Sequence, residues 1–122
     1  MKHANAFVKL VEEALKGVRE ITADEVMQMM GTAEPFVLVD TREDREWQAG
    51  HIPGAYHIGR GVLERDIESR IPDHGTKIVL YCGGGYRSAL AAESAQKMGY
   101  DNVFSMAGGW REWCDKSYPR ET

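Results

Sequence analysis

Lys77-Ile78-Val79-Leu80-Tyr81-Cys82-Gly83-Gly84-Gly85-Tyr86-Arg87-Ser88 packs a strand, a loop and the start of a helix into consecutive positions. Residues 77–81 are a short apolar, β-rich run, which reads as a strand buried on both faces. Gly83 to Tyr86 read as a loop, and the alanine-rich stretch from Ser88 to Met98 reads as a helix stopped at Gly99. Strand, loop and helix in that order are the beginning of a β-α-β unit. Repetition of the unit builds a parallel sheet with helices on its faces.

The unit repeats on both sides of this stretch. Phe36-Val37-Leu38-Val39 is a second buried strand, ending at Asp40-Thr41-Arg42. A short helix through Glu43 to Gln48 follows, stopped by Gly50. His51-Ile52-Pro53-Gly54-Ala55 reads as a turn and Tyr56-His57-Ile58 as a brief strand. Val62, Leu63, Ile67 and Ile71 mark a helix closed by Pro72. Asn102 to Met106 form the last strand, and Ala107-Gly108-Gly109 turn into a helix carrying Trp110 and Trp113. From Pro119 onward a polar tail is expected. Near the start, Thr22 and Glu25 make a capping-box pattern before Val26, Met29 and Met30. Phe7, Leu10, Val11, Ala14 and Leu15 recur at helical spacing, so residues 1–18 are expected to be an amphipathic helix ending near Gly17. It is either part of the domain or appended to it, and its apolar side fits the domain or a partner equally. Residues 19–122 are expected to be one α/β domain.

Composition narrows the function. The chain has 122 residues, 43% hydrophobic and 28% charged, which is globular and sized for one domain. A net charge of −4 without a basic run argues against nucleic acid and acidic membrane surfaces as partners. No apolar run approaches the ~20 residues of a membrane span. Lys9, Glu12 and Glu13 interrupt any signal-peptide core after Met1-Lys2-His3-Ala4-Asn5, so a cytoplasmic location is expected. Cys82 and Cys114 do not make a disulfide framework. His3, His51, His57 and His74 are scattered without metal-ligand spacing, so no metal is expected, and structural roles are expected for His3 and His74.

Ligands of open parallel sheets sit outside the carboxyl ends of the strands, where Asp40, Arg42 and Cys82 all fall. The glycines after Cys82 permit positive φ and close backbone approach. Such a loop can turn successive N–H groups inward as an anion-binding nest, and the following helix adds its positive end. A helix N-terminus or a cationic neighbour can lower a cysteine below the ~8.5 of a free thiol. Its thiolate can attack a sulfane sulfur and hold it as a persulfide, whose outer sulfur the same N–H groups stabilise. The plainer reading of a lone strand-end cysteine is a small buried hydrophobe, and of a glycine run a turn. The combination with Arg87 and a helix start is more specific than either.

Four elements in order resemble the rhodanese-like domain family in its single-domain form, over about residues 20 to 118. Val39-Asp40-Thr41-Arg42 resembles its D-x-R element, and Ala49-Gly50-His51-Ile52-Pro53-Gly54-Ala55 its G-H-I-x-G-A turn. Cys82 to Ser88 resemble its C-x4-R-[ST] active loop, and Gly108-Gly109-Trp110 its G-G-[WF] element. The resemblance implies a five-stranded parallel sheet flanked by helices on both faces, and a sulfurtransferase working by double displacement without metal or organic cofactor. Cys82 would be catalytic. Gly83, Gly84, Gly85, Tyr86, Arg87 and Ser88 would bind the persulfide and substrate. Asp40 and Arg42 would brace the strand ends, with substrate contact by Arg42 as the alternative. His51 would fix its turn, and Trp110 would pack beneath the site. The partners would be a small-molecule or protein sulfur donor, such as thiosulfate or a persulfide, and a thiophilic acceptor, cyanide or a thiol.

Two other classes compete. One is a non-catalytic binding or sensing module on the same fold, with the N-terminal helix as docking surface. The other is a phosphatase or arsenate reductase. Those relatives use C-x5-R, whereas four residues separate Cys82 from Arg87, a tighter cradle suited to one sulfur. No lysine or second arginine lies inside the loop, which puts thiosulfate in doubt as donor. Cys114 either resolves the persulfide as a disulfide or is an idle thiol.

Overall fold

The computed structural model describes residues 3–122, so Met1 and Lys2 of the expected N-terminal segment lie outside the described residues. The elements run α1 (Asn5–Leu15), β1 (Arg19–Ile21), α2 (Ala23–Met30), β2 (Val37–Asp40), α3 (Asp44–Ala49), β3 (Tyr56–His57), a 3-10 turn (Arg60–Val62), α4 (Leu63–Arg70), β4 (Ile78–Tyr81), α5 (Tyr86–Lys97), β5 (Val103–Met106) and α6 (Gly109–Asp115). The strands form one parallel sheet in the order β1-β5-β4-β2-β3.

Every side chain of the central strand β4 is buried, which explains its continuous apolar run. Side-chain alternation divides the core. Ile78 and Leu80 join Val39, Leu63, Ile67 and the alanines of α5 on one face, under α1, α4 and α5. Val79 and Tyr81 join Val26, Ile52, Met106 and Trp113 on the other, under α2 and α6. Ala91, Ala92 and Ala95 are fully buried, so α5 lies close on the sheet and carries the residue after the glycine loop directly to the end of β4. The capping box of α2 is present, with Thr22 Oγ1 accepting from the Glu25 N–H at 3.1 Å and Glu25 Oε1 accepting from the Thr22 N–H at 3.0 Å.

Three features differ from the sequence expectations. The fifth strand is β1, which residue patterning passes over because Ile21 is its one buried residue; Arg19 lies over the Phe104 ring instead. α5 begins at Tyr86, so the loop proper is only the three glycines. The tail after Pro119 is exposed but tied down. Glu121 exchanges two backbone hydrogen bonds with His51, each 2.9 Å, and the Trp113 indole N–H donates to the Pro119 carbonyl at 2.8 Å. α1 packs along α5 and buries Val11 and Ala14. No helix among the described residues is long and apolar enough to cross a membrane.

Candidate active site

Cys82 follows β4 immediately and is 1% exposed. Its Sγ accepts the N–H groups of Gly85 at 3.2 Å and Ser88 at 3.3 Å, and lies 3.6 Å from Ser88 Oγ. The N–H groups of Gly83, Gly84, Tyr86 and Arg87 have no acceptor among the described residues. They belong to the loop and to the first turn of α5, whose dipole end is positive. Sγ therefore accepts two amides at the positive end of α5, and neighbouring amides remain available for further negative charge.

Of the three loop glycines, only Gly85 has positive φ, at +97. Gly83 serves space instead, since a Cβ there would lie 3.1 Å from Arg87 Nη2. The loop is held from below by α6. The Trp110 and Arg111 N–H groups donate to the carbonyls of Cys82 and Gly83 at 2.7 and 3.0 Å. Buttressing these carbonyls on one side fixes the loop whose Gly85 amide reaches the sulfur.

Arg87 is committed to Glu46, with Nη1 and Nη2 donating at 2.9 and 3.3 Å to its two oxygens. This pair holds the Glu46 carboxyl below its ordinary value of 4.5 and raises Arg87. A depressed carboxyl stabilises the fold above the ordinary value and loses that contribution as pH falls through its lowered one. Both side chains are about a third exposed, so solvent screening leaves roughly half a kcal/mol. Glu46→Gln is expected to lower Tm by about 2 °C at pH 7, with the gap closing at the acid end, below pH 4.5. Thermal melts across pH measure it, and a gap that does not narrow as pH falls below 4.5 would refute the assignment.

Asp40 and Arg42, at the end of β2, form a buried pair at 2.8 Å. Burial by itself would lower the Arg42 pKa, but the hydrogen bond to Asp40 and that carboxylate's charge raise it above the ordinary value. The guanidinium also donates to the Gly50 carbonyl at 2.6 Å and lies 4.7 Å from the Trp110 ring centre. These contacts brace β2, the His51 turn and α6 together. His51 stacks on Trp47 with ring centres 3.5 Å apart, and its Nδ1 hydrogen-bonds the Trp47 carbonyl at 3.0 Å. Ser88 is fully buried and shares a 2.8 Å hydrogen bond with Ser105 Oγ on β5.

Beside Cys82 opens a cavity of about 450 Å3. Of the residues expected at the site, Cys82, Gly83, Gly84, Tyr86 and Arg87 line it; Gly85, Ser88, Asp40, Arg42 and Cys114 do not. Glu46, Arg45 and Arg111 join from α3 and α6, and His3 and Phe7 from the N-terminal segment. His3, expected to be merely structural, stands 4.5 Å from the Tyr86 ring. The loop's missing cation has a counterpart outside it, since Arg111 Nη1 lies 3.7 Å from where a Gly84 Cβ would be. Both cysteines are free thiols. Among the described residues no cluster of three or more histidine, cysteine or carboxylate side chains could hold a metal ion.

The family model described as a rhodanese-like domain matches residues 22–116. Over 105 residues the chain is 30% identical to YrkF of Bacillus subtilis, named as a candidate sulfur carrier protein, covering 86% of this chain and 56% of YrkF. It thus spans little more than half of that relative. It is 32% identical over 104 residues to GlpE of Haemophilus influenzae, named a thiosulfate sulfurtransferase, covering 85% of this chain and 95% of GlpE. The solved structure of RPA3614 from Rhodopseudomonas palustris, described as of unknown function and a possible tyrosine phosphatase, superposes with a TM-score of 0.82. It is 33% identical and covers 99% of this chain and 98% of its own, so the match includes α1.

Proposed function

The chain belongs to the rhodanese-like domain family, and from that premise we propose that it is a sulfurtransferase that carries a sulfane sulfur as a persulfide on Cys82. The observation that carries the reading is the pair of amides engaged with Sγ, beside loop and first-turn amides that have no acceptor among the described residues. In the first half-reaction the Cys82 thiolate attacks the outer sulfur of a donor such as thiosulfate. A new S–S bond forms, the donor's S–S bond breaks, and its electron pair leaves with sulfite. In the second, a thiolate or cyanide attacks the outer sulfur. The Cys82 Sγ–S bond breaks and its electron pair restores the thiolate. No electrons are gained or lost overall, so no metal or redox cofactor is required.

The amides of Gly84, Tyr86 and Arg87 would hold the outer sulfur's charge as an oxyanion hole holds oxygen. Ser88 and Ser105 position the hydroxyl next to Sγ. Arg87, neutralised by Glu46, closes the loop over Gly83 rather than presenting a free charge. Asp40 and Arg42 act as bracing. The free thiols suit a reducing compartment such as the cytoplasm.

A phosphatase is the second reading, favoured by the description of the Rhodopseudomonas structure. Against it stands the four-residue span from Cys82 to Arg87, with that arginine's fork already occupied by Glu46. The test is intact mass before and after thiosulfate, then after dithiothreitol. A gain of one sulfur on Cys82, removed by the reductant, supports the sulfurtransferase. No gain from thiosulfate or a small persulfide, with turnover of a phosphate ester, would carry the phosphatase. Neither gain nor turnover would leave a binding module.

A further inference from the structure

We propose that Arg111, seconded by Arg45, binds the charged end of an anionic sulfur donor, so that Arg111 sets donor specificity from outside the active loop. The proposal rests on the sulfurtransferase reading and names the donor class for it. The chain has nine arginines. Six carry a side-chain hydrogen bond. Among the described residues, Arg45, Arg111 and Arg120 have none, and two of those three line the Cys82 cavity.

Arg111 is anchored where a donor must arrive. Its backbone N–H is fixed to the Gly83 carbonyl at 3.0 Å, and its guanidinium overhangs Gly84, 3.7 Å from where a side chain there would begin. Gly84 has no Cβ to block the space between guanidinium and loop. Arg87 cannot serve the same purpose, because Glu46 occupies its fork. The remaining lining carboxylate is Glu43, so three arginines stand against two glutamates, and the arginine in excess offsets the charge of the Cys82 thiolate that would otherwise repel an anionic donor. A planar guanidinium suits a sulfonate or carboxylate by paired N–H···O bonds. The donors that fit are therefore thiosulfate, or a small persulfide bearing a carboxylate.

The experiment is steady-state sulfur transfer to cyanide with three donors: thiosulfate, glutathione persulfide and the neutral dimethyl trisulfide. Arg111→Gln is expected to raise KM for the anionic donors about tenfold, the scale of one charge-assisted contact at a wet site. Its kcat should change far less, Arg111→Lys should recover part of the loss, and Arg45→Gln should show a smaller rise. A rise with thiosulfate alone identifies a sulfonate site, and a rise with the persulfide alone a carboxylate site; either supports the proposal. An equal loss with dimethyl trisulfide, or no rise with either anion, overturns it. Wild-type protein that takes sulfur from none of the three overturns the sulfurtransferase reading itself and this subsite with it.

Discussion

Cys82→Ser takes up no sulfur from thiosulfate or a persulfide and forms no thiocyanate above background, while its melting temperature stays within a few degrees of the wild type. The chemical half of that expectation follows from the nucleophile. A serine hydroxyl stays protonated near neutral pH, and oxygen cannot form the S–S bond that stores the sulfane sulfur. The structural half follows from burial. Cys82 is 1% exposed, and its sulfur accepts from the Gly85 and Ser88 amides. A hydroxyl oxygen can still accept from those donors, though from a shorter reach. No cavity larger than the size difference between sulfur and oxygen opens, so the cost is about 1 kcal/mol, or about 4 °C. Mass spectrometry, cyanolysis and a thermal melt on one preparation check both halves. Thiocyanate formation retained by a folded Cys82→Ser would end the persulfide mechanism.

The parts of this molecule that were legible in the sequence are those where local chemistry and tertiary environment agree. β4 is apolar at every position because both its faces are covered, and the capping box of α2 formed because its hydrogen bonds are local. β1 was not legible, because an edge strand with one buried side chain has no periodicity to read. At the site, Cys82 and its glycines could be read from adjacency in the chain. Glu46, Ser105, Arg45, Arg111, His3 and Phe7 could not, because α3, β5, α6 and the N-terminal segment bring them in from distant positions. Glu46 left one trace. It follows Arg42 by four residues, on the helix that leaves the strand end where a site was already expected. The loop itself carries no cation between Cys82 and Arg87; the fold brings Arg111 to it from the next β-α connection.

That connection also carries the largest expected effect on stability. Gly109 has φ +54, and a Cβ there would land on the Cys82 carbonyl oxygen and within 2.9 Å of the Gly83 carbonyl carbon and oxygen. These are backbone atoms of the active loop and cannot rotate aside. Gly109→Ala must therefore push α6 off the loop, loosening the hydrogen bonds from the Trp110 and Arg111 amides. Left-handed strain of about 1–2 kcal/mol adds to that loss. Together they are expected to cost about 3 kcal/mol and to lower Tm by about 10 °C. Gly108 is the internal control. It too has positive φ, at +78, but a Cβ there would meet only the Glu112 side chain, whose carboxylate can turn away, leaving the Glu112 Cβ at 2.9 Å as one fixed contact against three backbone atoms at Gly109. Gly108→Ala should therefore cost about half as much. The two variants should also separate in function, because α6 orients the loop carbonyls and through them the amides that face Sγ. Gly109→Ala, assayed below its lowered melting point, should load sulfur at least tenfold more slowly, and Gly108→Ala within a few-fold of wild type. Equal losses in both variants would mean that the left-handed backbone alone matters, and that the close approach of α6 does not shape the cradle.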